Sequence, residues 1–126
     1  MSVLAGKRVL VVDDEPFVRY VFASELEDAG AEIIEAIDGL QALTLIEAGL
    51  EVDALVTDVR MPNMDGWTLA ERARERHPRI PVLYVTGYSD VAARPVPGSQ
   101  LLGKPVGACV ITSKVTAMLA AEHATA

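Results

Sequence analysis

The chain has 126 residues, a length that predicts one domain, since about 150 residues per domain is a reasonable prior. With 51% hydrophobic and 23% charged residues, the composition is typical of a globular protein with a core and not of a disordered chain. Eleven basic and 18 acidic residues give a net charge of −7, which argues against nucleic acid or a membrane surface as the main partner.

The cysteine content and the N-terminus predict a cytoplasmic location. A single cysteine, Cys109, cannot form an internal disulfide, and the first residues lack the pattern of a secretory leader. The longest apolar runs, residues 9–12 and 80–85, have the length of strands and fall far short of the ~18 residues that cross a bilayer. We therefore expect a protein without a membrane span.

Short apolar runs alternate with segments of helical periodicity along the chain. The run at 9–12 is apolar at every position, which indicates a strand buried on both faces. Pro16 suits the first turn of the helix that follows, and Gly30 ends that helix. The later predicted elements are strands at 32–36, 54–57, 80–85 and 101–102, and helices opening at Asp38-Gly39, at about 67–76, and from Val106 or Gly107 to about Ala121.

The fourth connection is the weakest part of this pattern. Between Tyr88 and Gly98, Pro95 and Pro97 allow at most a short helix. Five strands alternating with five helical segments predict an α/β fold, a doubly wound five-stranded parallel sheet with strand order 2-1-3-4-5. We expect one domain over residues 1–126, with its core at about 7–121.

Charged and hydroxyl side chains follow four of the predicted strands. Since ligands of doubly wound sheets bind beyond the carboxyl ends of the strands, these side chains should converge there. They are Asp13 and Asp14 after strand one, Asp58 after strand three, Thr86 after strand four and Lys104 after strand five. Carboxylates packed together need a cation, and hard oxygen ligands of this kind suit Mg²⁺. The alternative is that each acid only caps the next helix.

The position of Lys104 indicates the chemical role of such a metal. An ammonium facing metal-bound carboxylates suits a site that also receives an anion, and a phosphoryl group bridging metal and lysine meets that need. Aspartate is a known nucleophile in phosphoryl transfer, and Asp58 has the central position if strand three lies between strands one and four. Thr86 and Lys104 would then hold the phosphoryl oxygens.

These residues closely resemble the motifs of response regulator receiver domains, over about residues 7–121. The matches are Val11-Val12-Asp13-Asp14-Glu15, the stretch from Asp58 through Met61-Pro62 to Asp65-Gly66, Thr86-Gly87 and Lys104-Pro105. The resemblance implies the flavodoxin-like (βα)5 fold of the chemotaxis regulator. It also implies a cis Lys104-Pro105 bond, and a signalling domain that is not an enzyme beyond catalysing its own phosphorylation and dephosphorylation.

The resemblance further assigns roles at the site. It implies that Asp58 accepts phosphate from the phosphohistidine of a sensor histidine kinase or phosphotransfer protein. Mg²⁺ would be bound by Asp14, Asp58 and the main-chain carbonyl of Arg60, with Asp13 acting mostly through water. Lys104 and Thr86 would contact the phosphoryl group. The output partner would be another protein, which the sequence does not identify.

One position, Leu101, departs from the pattern of most receivers, and one stretch resembles a subgroup of them. Leu101 stands where most receivers carry Tyr or Phe, so Thr86 must bias another element, such as the Tyr88 segment or the fourth helix. The stretch from Val85 to Ser89 partly resembles the Phe-Ala-Thr-Gly-Tyr motif of a subgroup of single-domain regulators, which act as phosphate shuttles or sinks. We also expect Arg60 and Tyr88, at the rim of the site, to limit the approach of hydrolytic water.

Functions other than a stand-alone regulator require features that can be compared with this sequence. Only 22 residues follow Lys104, which predicts output through protein association, phosphate relay or competition for a kinase. A receiver excised from a hybrid kinase or multidomain regulator remains an alternative. A flavodoxin-like cofactor carrier is disfavoured, because it needs a phosphate-binding loop where this chain has acidic residues. An aspartate-based phosphatase is disfavoured, because it needs an acidic residue in place of Arg60. A degenerate receiver that serves only as a scaffold would not need the complete set of acidic, threonine and lysine residues.

Overall fold

A computed structural model describes residues 3–87 and 93–125, with side chains described as far as Ala121. Five strands and four helices make up this part of the chain. In chain order they are β1 Arg8–Val12, α1 Pro16–Asp28, β2 Glu32–Ala36, α2 Gly39–Glu47, β3 Ala54–Thr57, α3 Gly66–Arg76, β4 Val82–Thr86, β5 Gln100–Gly103 and α4 Ala108–Thr125.

The strands form one parallel sheet in the order β2-β1-β3-β4-β5, which confirms the predicted fold class. β3 lies between β1 and β4, so the residue after β3 is flanked by the ends of both neighbours. Because all strands run the same way, their carboxyl ends meet at one edge of the sheet.

Alternate residues of the central strands enter two hydrophobic cores, one on each face of the sheet. In β1, Leu10 and Val12 pack on the side of α2 and α3, while Val9 and Val11 pack on the side of α1 and α4. Burying an aliphatic side chain of this size contributes roughly 1.5–3 kcal/mol. Both faces are therefore covered, which is why the run at 9–12 has no polar position.

Two of the helices begin at Asp-Gly pairs, one of which, Asp38-Gly39, was predicted as a helix start. Asp38 accepts a hydrogen bond from the backbone N–H of Gln41 at 2.8 Å, and Asp65 accepts one from that of Thr68 at the same distance. Such caps satisfy N–H groups that have no partner within the helix, each contributing about 1 kcal/mol. The first turns of α2 and α3 are thereby fixed close to the carboxyl edge of the sheet.

The fourth connection contains no helix within its described residues. Residues 93–99 form no helix, and the chain turns at Pro97-Gly98. The rest of the predicted segment, including Tyr88, lies outside the described residues. Arg94 instead bonds to Glu71 Oε1 at 3.2 Å and Thr68 Oγ1 at 3.1 Å, which ties this connection to α3.

The last helix also differs from its prediction. It begins at Ala108, after Val106 and Gly107, and continues to Thr125 instead of ending near Ala121. Neither this helix nor any other within the described ranges combines the length and the apolar character that crossing a bilayer requires.

Candidate functional site

Backbone hydrogen bonds continue the sheet just past the ends of its strands. The Asp58 N–H donates to the Val12 carbonyl at 3.0 Å, and the Lys104 N–H donates to the Thr86 carbonyl at 2.9 Å. The Asp13 N–H reaches the Ala36 carbonyl at 3.3 Å. These site residues predicted from the sequence therefore have backbone positions that are fixed by hydrogen bonds to neighbouring strands.

Lys104 joins the two buried carboxylates. Its Nζ donates to Asp13 Oδ2 at 3.0 Å and to Asp58 Oδ2 at 2.9 Å. The Asp13 and Asp58 side chains are only 3% and 5% exposed, and that of Lys104 is 18% exposed. Charged hydrogen bonds of this kind are stronger than neutral ones, and here they are shielded from water. The three residues thus form one ion cluster at the carboxyl edge.

Backbone amides hold the other oxygen of each buried carboxylate. Asp13 Oδ1 accepts a hydrogen bond from the Glu15 N–H at 2.9 Å, and Asp58 Oδ1 accepts one from the Val59 N–H at 2.7 Å. Each carboxylate is therefore bonded through both oxygens, which fixes its orientation. Asp58 is presented at the centre of the edge as a preorganised group.

The pKa values reflect how the cluster shares its charge. Burial raises the pKa of Asp13, against the lowering effect of the hydrogen bonds from Glu15 and Lys104. Burial alone would lower the pKa of Lys104, but the hydrogen bonds to Asp58 and Asp13 and the negative charges of both carboxylates together outweigh burial and raise it. The lysine therefore stays an ammonium, and one ammonium does not balance two carboxylates.

Asp14 adds a third carboxylate to the cluster from the solvent side. Oxygens of Asp13, Asp14 and Asp58 all lie within 4.8 Å of one another, with Asp14 exposed. Three carboxylates and one ammonium leave two negative charges, which a divalent cation would neutralise. An all-oxygen donor set open to water on one side suits Mg²⁺, which keeps several of its waters when bound. The residues fit such an ion.

The remaining predicted site residues lie around this cluster. Arg60 lines a cleft of about 280 Å³ together with Asp14 and Asp58. Thr86 is buried at the end of β4, where it pairs in register with Gly103. Leu101 lies on β5, paired with Tyr84 and 49% exposed. Tyr88, the other rim residue, lies outside the described residues.

Two side chains, those of Arg19 and Asn63, make hydrogen bonds at this edge that were not predicted from the sequence. Arg19 of α1 donates through Nη1 to the Asp13 carbonyl at 2.8 Å and through Nε to Glu35 at 3.0 Å. Asn63, in the loop between β3 and α3, donates through Nδ2 to Asp38 Oδ2 at 2.8 Å. The Asp-Gly pair at 38–39 indicated a helix cap, but nothing in the sequence indicated that this cap would also bind the loop.

The Lys104-Pro105 peptide bond is cis, as the resemblance implies. Gly66 lies where a Cβ would overlap the carbonyl oxygen of Asp58 and come within 3.0 Å of Val59 Cα. Its N–H donates to the Val59 carbonyl at 2.8 Å. The start of α3 therefore packs directly against the backbone that carries Asp58, which only a glycine permits.

Comparison with known proteins adds independent evidence. The chain is similar to the sensor kinase CckA of Brucella abortus, with 40% identity over 116 residues that cover 88% of this chain and 12% of the kinase. Curated relatives are much longer than this chain. The chain spans 12% of the length of one such relative and 40% of the length of another.

Solved structures agree with this likeness. A response regulator receiver protein from Sinorhizobium medicae superposes with a TM-score of 0.88 at 32% identity, covering 93% of this chain and 97% of that one. The response regulator TrrA from Thermotoga maritima, solved in complex with Mg²⁺-BeF, superposes with a TM-score of 0.76 at 29% identity, covering 89% of this chain and 98% of that one.

A match to a protein-family profile identifies the family of this chain. The profile described as the response regulator receiver domain matches residues 9–116, which include all the strand-end residues described above. The parallel sheet in the order 2-1-3-4-5 and the solved structures similar to it point to the same family. This chain belongs to the response regulator receiver domain family, whose members are signalling domains of two-component systems.

Proposed function

We propose that Asp58 accepts a phosphoryl group from the phosphohistidine of a sensor histidine kinase or phosphotransfer protein. The observation that carries the proposal is the position of the Asp58 carboxylate, which contacts Lys104 at 2.9 Å and lies within the three-carboxylate cluster. In the reaction the phosphorus–nitrogen bond to imidazole breaks and a phosphorus–oxygen bond to Asp58 forms. The imidazole nitrogen keeps the electron pair of the broken bond and the ring regains a proton, so the donor histidine is regenerated and the chain carries an aspartyl phosphate at Asp58.

Each residue of the cluster has a part in this proposal. Asp14, Asp58 and the Arg60 carbonyl bind Mg²⁺, with Asp13 contributing through water. A bound ion of this kind would supply positive charge to neutralise the charge that develops on the phosphoryl oxygens. Lys104 is held between two carboxylates and is available to a phosphoryl oxygen once Asp58 is modified. Thr86, at the end of the neighbouring strand, contacts a second phosphoryl oxygen.

The phosphorylated chain would act on other proteins. We propose that phosphorylation changes its association with an output protein, or that the chain acts as a phosphate shuttle or sink. The net charge of −7 makes nucleic acid and anionic membranes poor partners, and the single cysteine agrees with a cytoplasmic location.

The test is incubation with acetyl phosphate and Mg²⁺, followed by mass measurement of the intact protein. We expect one phosphoryl adduct on the wild type and none on Asp58→Asn. Asp28→Asn is the matched control, because it also replaces a carboxylate by an amide, at an exposed position of α1. It should be phosphorylated like the wild type. An equal adduct on Asp58→Asn would overturn the assignment.

A receiver domain within a hybrid kinase is the second candidate. The observation that favours it is the 40% identity with the kinase CckA, of which the matching region is 12%. Immunoblotting cells of the source organism with an antibody against this domain distinguishes the two. A band near 13.5 kDa supports the stand-alone regulator, and a band several times larger supports the hybrid kinase.

A further inference from the structure

The loop between β3 and α3, residues 58–65, lines the cleft at the candidate metal site. It begins at Asp58, contains Arg60 and ends at Asp65, the cap of α3. Arg60 lines the same cleft as Asp14 and Asp58. Unlike a side chain, a main-chain carbonyl cannot turn toward a metal by rotating about its own bonds. Whatever fixes the loop would therefore also fix the proposed carbonyl ligand of Arg60.

Asn63 fixes the middle of the loop. Its backbone has a φ of 74°, the left-handed region, which asparagine tolerates better than most residues. Its side chain donates to Asp38 Oδ2 at 2.8 Å, across 25 positions of the chain. The tip of the loop is thus tied to the first turn of α2.

Asp38 is a rigid partner for this bond. It is 8% exposed, and its second oxygen accepts the Gln41 N–H at 2.8 Å. The Gln41 side chain in turn accepts the Ile37 N–H at 2.7 Å, which closes the turn before the helix. A Cβ on Gly39 would come within 2.6 Å of the Met64 carbonyl oxygen, so the helix start and the loop are packed backbone to backbone.

We propose that Asp38 and Asn63 are positioning residues for the metal site: their hydrogen bond holds the β3–α3 loop so that the Arg60 carbonyl is available to Mg²⁺. This inference rests on the proposed Mg²⁺ site and assigns a role to residues that do not contact the metal. Hydrogen bonds that orient metal ligands from outside typically alter metal affinity by about 10–100-fold when they are lost. We expect a loss near the lower end, because other contacts also hold the loop.

Calorimetric titration of the unphosphorylated protein with MgCl₂ tests the proposal without relying on phosphorylation. Four proteins are compared: wild type, Asn63→Gly, Asn63→Asp, and the exchanged pair Asp38→Asn with Asn63→Asp. Asn63→Gly removes the hydrogen bond, keeps the charge and tolerates the positive φ. Asn63→Asp sets two carboxylates against each other. The exchanged pair restores a donor and an acceptor and has the wild-type net charge.

We expect Mg²⁺ to bind about tenfold more weakly to Asn63→Gly and Asn63→Asp, and the exchanged pair to recover most of this loss. If only electrostatic attraction mattered, Asn63→Asp would bind Mg²⁺ more tightly than the wild type, since it adds a negative charge near the site. Thermal unfolding with EDTA present shows whether each variant is folded. Weaker Mg²⁺ binding by a variant that is folded separates a positioning role from general loss of stability, and recovery in the exchanged pair assigns the effect to the hydrogen bond.

Three results would count against the inference without affecting the proposed metal site. Wild-type affinity in Asn63→Gly, or affinity equal to or tighter than wild type in Asn63→Asp, would overturn it while leaving the proposed function intact. Failure of the exchanged pair to recover, with that protein folded, would also overturn it. Absence of Mg²⁺ binding in the wild type would instead overturn the metal site itself, and the inference with it.

Discussion

Lys104 and Asp58 are 46 positions apart in the chain, yet the lysine Nζ lies 2.9 Å from Asp58 Oδ2. The same ammonium contacts Asp13 Oδ2 at 3.0 Å, so one cation serves two buried carboxylates. Neither carboxylate is fully compensated, and Asp14 adds further negative charge at the rim. The cluster is therefore held together by the lysine and remains open to a divalent cation.

Replacing Lys104 with methionine should destabilise the protein when no metal is present. The substitution keeps most of the side-chain volume but leaves two buried carboxylates facing each other. Removing one partner of a buried ion pair typically costs roughly 3 kcal/mol. Excess Mg²⁺ should recover part of this loss, because a cation that binds the folded state stabilises it by mass action. Urea unfolding with EDTA and with MgCl₂ measures both effects.

Lys114→Met is the matched control for this substitution. Lys114 lies on α4, and its replacement should change the free energy of unfolding by less than about 0.5 kcal/mol, with no dependence on Mg²⁺. Equal destabilisation by the two substitutions would show that Lys104 does not compensate the carboxylates.

Gly66→Ala should disturb the site from the start of α3. The new Cβ would overlap the Asp58 carbonyl oxygen, so the helix or the end of β3 must shift. Overpacking of this kind costs about 1–3 kcal/mol, and a shift of Asp58 should also slow its phosphorylation by acetyl phosphate. Gly103→Ala is the control, since its Cβ would meet no atom within 4 Å. Similar unfolding free energies and phosphorylation rates for the two variants would contradict the packing argument.

Asp38 should make the stability of the protein depend on pH in the acid range. The Gln41 N–H and the Asn63 side chain both donate to the carboxylate and lower its pKa below the ordinary value of 3.8. A depressed folded-state pKa contributes stability that is complete above the unfolded pKa of ~3.9 and is lost as the pH falls through the folded pKa. The stability advantage over Asp38→Asn should therefore be constant from pH 7 to 5 and shrink below pH 4. Urea midpoints of both proteins at matched pH measure it, and an advantage that grows on acidification would refute the assigned cause.

The strand ends could be predicted because they follow from short-range patterns. Runs without a polar residue, such as 9–12, indicate strands covered on both faces, and the structure places alternate side chains in two cores. The residue after each run then lies at the carboxyl edge. Asp13, Asp58 and Lys104 converge for this reason alone.

Contacts between loops could not be predicted in this way. The bond between Asn63 and Asp38 joins two turns whose separation depends on how α2 and α3 pack. The fourth connection is a similar case, since two prolines ruled out a long helix but did not indicate that Arg94 would bind Glu71. Such contacts depend on tertiary packing, which periodicity and turn signals do not encode.

Tyr84 provides a test of how that connection is held. Its hydroxyl oxygen accepts a hydrogen bond from the Val96 N–H at 3.1 Å, and its ring packs against Trp67 with centroids 4.5 Å apart. Tyr84 is fully buried and Val96 is 7% exposed, so Tyr84→Phe leaves a buried N–H without its partner and should cost about 1–3 kcal/mol. Tyr20→Phe, at a position 65% exposed, makes the same chemical change and should cost almost nothing.

Chemical unfolding measures how much stability Tyr84→Phe loses, and amide hydrogen exchange shows which part of the chain loses protection. If the bond holds the connection, the Val96 amide should exchange faster in Tyr84→Phe, while the amides of β1 should lose protection only in proportion to global stability. The Trp67 ring keeps its partner in this variant, because phenylalanine retains the aromatic face. Loss of stability equal to that of Tyr20→Phe, with Val96 still protected as in the wild type, would show that residues 93–99 are held by Arg94 and the surrounding core and not by the tyrosine hydroxyl.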